Sequence, residues 1–149
     1  MIVGTEWLVE AQGCDPRELR NEAALRAVFD RIITDLGLKS IEAIWHTFPN
    51  EGGVTGIVAL TESHLACHTY PEHGTATFNL YCCRTRPEWN WDSNLKTTLG
   101  AVAVTVTKIE RGESNPQPVS SPPARGGVAA ASAVGVVGDP QSKTAGGDA

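Results

Sequence analysis

Residues 54–83 read VTGIVALTESHLACHTYPEHGTATFNLYCC, and this stretch decides the fold. Its last segment, Thr75 to Cys83, alternates: Ala76, Phe78, Leu80 and Cys82 on one face, Thr77, Asn79, Tyr81 and Cys83 on the other. Strict period two is the pattern of a strand with one buried face. Val54–Leu60 is a second β-rich run, and Leu65–Tyr70 is extended after Glu62-Ser63. Pro71-Glu72-His73-Gly74 has the composition of a turn. Connections this short join antiparallel neighbours, because parallel strands need a long crossover.

Upstream, Asp15 and Pro16 open a helix: an acidic cap, a proline suited to the first position, and Glu18 three residues after the cap. Leu25, Val28, Phe29, Ile32, Ile33 and Leu36 then recur at spacings of three and four, and Gly37 is the expected stop. A strand over Glu6–Gln12 precedes this helix. Ser40–Phe48 follows it as a strand, with Ile41, Ala43 and Trp45 alternating against Glu42, Ile44 and His46. Pro49-Asn50-Glu51-Gly52-Gly53 is a loop by composition. A short helix around Asp92–Leu99 and a strand over Ala101–Ile109, with Val102, Val104 and Val106 on one face, complete the pattern. The order β-α-β-β-β-β-α-β predicts an α+β fold: a two-layer sandwich of an antiparallel sheet with helices on one face.

Composition sets the boundaries. Of 149 residues, 12 are Lys or Arg and 17 are Asp or Glu, for a net charge of −5. An acidic chain without a basic cluster lacks the footprint of a nucleic-acid binder. No apolar run approaches the ~20 residues of a membrane span, and the opening MIVGTEW lacks the basic and apolar regions of a signal peptide. A cytoplasmic protein is therefore expected, with its four Cys as thiols rather than disulfides. Every aromatic, His and Cys lies before Gly112. Residues 113–149 hold five Pro, six Gly, seven Ala and five Ser, with no Leu, Ile or aromatic side chain. Such a segment has too little apolar surface to offset its ordering entropy. The expectation is one domain over 1–112 and a disordered tail over 113–149.

Reactive side chains crowd into 62–83: Ser63, His64, Cys67, His68, Glu72, His73, Cys82 and Cys83. A zinc site has donors in His64, Cys67, His68 and His73, yet strand alternation separates the His64/His68 face from Cys67, so no metal is expected. A Cys/His hydrolase is a second reading, with Cys83 and His68 facing each other across a hairpin. No motif supplies its oxyanion hole or orienting group. Taken singly, Ser63 is an ordinary strand serine, His64 a packed neighbour, His73 a solvent-facing turn residue, and Cys14, Cys67 and Cys82 small buried hydrophobes. The four Trp read as core or interface residues, with Trp89 and Trp91 candidates for an interface.

Taken together, Glu62-Ser63-His64, then His68-Thr69-Tyr70-Pro71-Glu72, then Cys83 resemble the processing site of the prokaryotic S-adenosylmethionine decarboxylase family. The resemblance extends over approximately 4–112. It implies a proenzyme that cuts itself between Glu62 and Ser63 and turns Ser63 into a pyruvoyl group. That group is an electron sink made from the chain, in place of pyridoxal phosphate. The implied roles are attack by Ser63 on the Glu62 carbonyl, assistance to elimination by His68, and reprotonation of the decarboxylated carbon by Cys83. Phe48 and Tyr70 match the family's adenine-stacking aromatics, and Glu72 its ribose-holding acid. A homodimer whose sheets meet and whose sites are shared is also implied. The implied product is the aminopropyl donor for spermidine and other polyamines.

This chain departs from the family pattern at four places. Tyr70 stands where Trp is frequent, Arg84 where Gly is frequent, Asn79 for Asp, and Thr55 for a processing Ser. Arg84, beside Cys83, leaves arginine and ornithine open as alternative substrates. A non-catalytic binding or regulatory relative is the rival from another class, against which Ser63, His68 and Cys83 are all intact.

Overall fold

The structure, a computed structural model, describes residues 1–112. The expectation of a disordered tail over 113–149 lies outside the described residues. Six strands, β1 (Ile2–Gln12), β2 (Ser40–Thr47), β3 (Val54–Leu60), β4 (Ser63–Tyr70), β5 (Thr75–Cys82) and β6 (Ala103–Gly112), form one sheet in the order β2-β3-β4-β5-β1-β6. All five pairings are antiparallel. The helices α1 (Pro16–Leu19), α2 (Glu22–Asp35) and α3 (Trp91–Leu99) complete the α+β sandwich.

The core forms where the alternating strand residues meet the helix stripes. Trp7, Val9 and Ala11 of β1, Leu65 and Cys67 of β4, and Ala76, Phe78, Leu80 and Cys82 of β5 are buried with Leu25, Val28, Phe29 and Ile32 of α2 and Leu95 and Leu99 of α3. Trp89 and Trp91 belong to this core, their rings 5.1 Å apart and edge to face, so they are not interface residues of the chain. Thr69 is the one buried polar residue of the core face among those described. Its hydroxyl donates to the Leu19 carbonyl at 2.7 Å and accepts from the Val54 amide at 2.8 Å, tying β3, β4 and the end of α1 together.

The single helix expected from Asp15 to Leu36 is two. Asp15 does cap the first, accepting from the Arg17 amide at 2.9 Å. Asn21 then caps a second, accepting from the Ala24 amide at 3.2 Å, because a short amide side chain satisfies the free donors of a new helix start. Gly37, at φ +62°, ends α2 as its position predicts. In β2 a bulge between Ser40 and Glu42 disturbs the register, and Ile41 is exposed rather than facing inward with Trp45. Val102, expected in the last strand on one face with Val104 and Val106, precedes β6 and is exposed.

The other face of the sheet carries no helix among the described residues. One row crosses it through Ile44, Ile57, Ala66, Asn79, Leu8 and Thr107, register partners in adjacent strands. Ile44, Ile57 and Leu8 are exposed there.

Candidate active site

Strand β4 starts at Ser63, so the Glu62–Ser63 bond sits where the turn after β3 enters the strand. Ser63 pairs with Cys82, and Glu62 lies opposite Cys83. The Glu62 carbonyl accepts two hydrogen bonds from one residue: the Cys83 amide at 3.0 Å and the Cys83 thiol at 2.7 Å. Two donors on one carbonyl oxygen are the arrangement that stabilises developing negative charge during attack at that carbon. Ser63 Oγ is buried and makes no hydrogen bond of ordinary geometry, with the Cys82 thiol beside it. Burial pushes the neighbouring Cys82 thiol up from its ordinary value, and the nearness of Ser63 and Arg86 offsets only part of this. Cys82 therefore stays protonated while the exposed Cys83 meets solvent.

A cleft of 390 Å³ opens beside Ser63, lined by Leu38, Lys39, Thr61, Glu62, Cys82, Arg84 and Arg86. Glu62 is held there by Arg84, with Nε 2.6 Å from Oε1, and by Arg86, with an Nη 3.9 Å from Oε2. Lys39 and Arg86 were not legible as site residues. Isolated basic residues carry no local signal, and only the turn geometry gathers them.

His68 is elsewhere. It lies five positions along β4 from Ser63, opposite Thr77, about 17 Å away at strand rise. Alternation also puts it on the helix-free face, with Ser63 on the face of Leu65 and Cys67. Its Nδ1 is hydrogen-bonded to Thr55 Oγ1 at 3.0 Å. The expected juxtaposition of Cys83 and His68 across the β4–β5 hairpin is therefore absent: they sit at opposite ends, because the register pairs Cys83 with Glu62.

The aromatic and acidic residues gather at the His68 end. Phe48, Tyr70 and Glu72 line one 290 Å³ pocket with Asn50, Glu51 and Thr69. His46 meets Phe48 edge to face at 4.7 Å. A third group occupies the open face: His64 Nε2 donates to Asn79 Oδ1 at 2.9 Å, and Asn79 Nδ2 donates to Glu6 Oε1 at 2.8 Å. Arg111 also pairs with Glu6. The hydrogen bond from Asn79, then the Arg111 pairing, holds the Glu6 carboxyl below its ordinary 4.5 despite burial. Among the described residues no group of three or more His, Cys, Asp or Glu side chains is placed to hold a metal. No helix among them is long and apolar enough to cross a membrane.

The fold, a one-sheet α+β sandwich, has a counterpart of known structure. The chain resembles the crystal structure of the adenosylmethionine decarboxylase from Aquifex aeolicus with a TM-score of 0.63 at 24% identity, covering 78% of this chain and 96% of that one, a likeness of fold. The S-adenosylmethionine decarboxylase family profile matches residues 5–112. An S-adenosylmethionine decarboxylase proenzyme 2 of Halalkalibacterium halodurans is 33% identical over 111 residues, which is 74% of this chain and 87% of that protein. A proenzyme of Thermococcus kodakarensis is 35% identical over 112 residues, 74% of this chain and 77% of that protein. The chain belongs to the S-adenosylmethionine decarboxylase family.

Proposed function

We propose that this chain is a self-processing decarboxylase of S-adenosylmethionine whose cofactor is a pyruvoyl group made from Ser63, and whose product is the aminopropyl donor of polyamine synthesis. The observation that carries the reading is Ser63 Oγ, buried next to a carbonyl that accepts from both the amide and the thiol of Cys83. Attack by Oγ on the Glu62 carbonyl carbon exchanges the amide for an ester, and the two Cys83 donors hold the oxygen as it becomes anionic. A base then removes the Ser63 α-proton and the chain parts between 62 and 63. The residues fit the group, since the serine hydroxyl makes no hydrogen bond of ordinary geometry and a thiol proton donor stands one strand away. When present, the pyruvoyl group supplies the electron sink for loss of CO2. Cys83 is the proton donor to the carbon left behind, a role suited to an exposed thiol beside the cleavage point.

His68 cannot reach Ser63 of its own chain. The reading therefore requires two copies, with the His68 end of one meeting the Ser63 end of the other. His68, oriented by Thr55, is then the elimination base for the partner's serine. Phe48 and Tyr70 are the walls for an adenine ring and Glu72 the acceptor for ribose hydroxyls, all three in one pocket at the end of β4. Two aromatic walls suit a nucleoside better than arginine or ornithine. Arg84, the residue that left those substrates open, is engaged with Glu62. Four free thiols suit work in the reducing cytosol.

Denaturing mass spectrometry of the purified protein tests the reading. Fragments of residues 1–62 and 63–149 are expected, the second about 17 Da lighter than simple hydrolysis gives. An intact chain contradicts it.

A further inference from the structure

The cleft beside Ser63 has an uneven charge: apart from Glu62 itself, the charged groups lining it are Lys39, Arg84 and Arg86. Arg84 and Arg86 reach different oxygens of the Glu62 carboxylate. Ser63 belongs to the same cleft.

The second step of self-cleavage explains why cations stand here, an argument that rests on the reading above. Attack forms the bond from Oγ to the Glu62 carbonyl carbon, breaks the amide C–N bond and leaves an amine on residue 63. In the elimination a base takes the Ser63 α-proton, the freed pair forms the Cα=Cβ bond, and the Cβ–Oγ bond breaks. Oγ departs with Glu62 as one oxygen of a new α-carboxylate. Negative charge thus appears on an atom that begins in the cleft, next to a side chain already held by two guanidinium groups. Water then replaces the amine of residue 63, releasing ammonia, with no oxidant or reductant consumed.

We propose that Arg84 and Arg86 are a leaving-group clamp, stabilising the Glu62 α-carboxylate as the Cβ–Oγ bond breaks and retaining the new carboxyl terminus. Arginine suits this work because its fork of donors matches a carboxylate and stays charged. The Arg84 side chain is 70% exposed, and replacing it opens no core cavity.

The test follows the full-length chain made in a cell-free system, as native, Arg84→Ala, Arg84→Lys, Arg84→Glu and Arg86→Ala proteins. Cleavage is timed by denaturing mass spectrometry with and without hydroxylamine, which splits an ester and marks Glu62 as a hydroxamate. With Arg84→Ala, formation of the 1–62 fragment slows by roughly ten-fold or more, the scale of one lost charge-assisted hydrogen bond. The uncut chain then accumulates in hydroxylamine-sensitive form, Lys restores most of the rate, and Glu is slower than Ala. Native rates in both Arg84→Ala and Arg86→Ala overturn the clamp. So does accumulation of a hydroxylamine-resistant chain in Arg84→Ala, since that places the arginine before ester formation or in folding. A native chain that stays uncut and resistant overturns the self-cleavage reading itself, a result distinct from either.

Discussion

Cys83 stands out at the residue scale because it reaches the Glu62 carbonyl twice, through backbone and side chain. The two contacts separate under mutation. Cys83→Ala removes the thiol and keeps the amide, so cleavage slows by roughly ten-fold at an unchanged position, while turnover of the cleaved enzyme falls further. Timed mass spectra and CO2 release from S-adenosylmethionine read the two effects apart. Ser63→Ala leaves no cleavage at all. Glu6 gives a pH prediction. Its folded pKa is lowered, so its contribution is complete above the unfolded value near 4.5 and is lost as pH falls through the lower folded value. Glu6→Gln should therefore unfold in urea with a smaller loss of stability between pH 7 and pH 3 than the native chain. An equal loss in both shows that the Asn79 and Arg111 contacts contribute nothing.

Elements were legible in proportion to how local their signals are. The alternation of Thr75–Cys83 and the spacing of Leu25, Val28, Phe29 and Ile32 place β5 and α2 because one periodicity decides each. The break at Asn21 was hidden, since the apolar stripe runs past it and the capping hydrogen bond to Ala24 appears only in three dimensions. Asn21→Ala should cost about 1 kcal/mol in urea unfolding, the usual worth of an N-cap, whereas a continuous helix would make the change neutral. The same limit applies at the site. The motif named Ser63, His68 and Cys83, but strand register decides who meets whom. Register sets Cys83 against Glu62 and carries His68 five positions away to Thr77. Lys39, Arg84 and Arg86 join around Glu62 from separate parts of the chain, and no spacing announces that.

At the scale of the whole molecule, the two groups of the proposed site lie at opposite ends of β4: Ser63 with Cys83 at one, His68 and the Phe48, Tyr70 and Glu72 pocket at the other. Both groups lie within residues 1–112, so truncation after Gly112 should leave cleavage at native rate. A slower truncated chain would give that segment a part in the reaction. The two-copy arrangement is tested most directly by producing Ser63→Ala and His68→Ala chains together and separately. Each alone lacks one half of every site and stays uncut. In mixed dimers one site pairs an intact Ser63 with an intact His68 from the other chain, so the His68→Ala chain, recognised by its mass, is cut between Glu62 and Ser63. Failure of cleavage in isolated mixed dimers, or cleavage of His68→Ala on its own, contradicts the shared site.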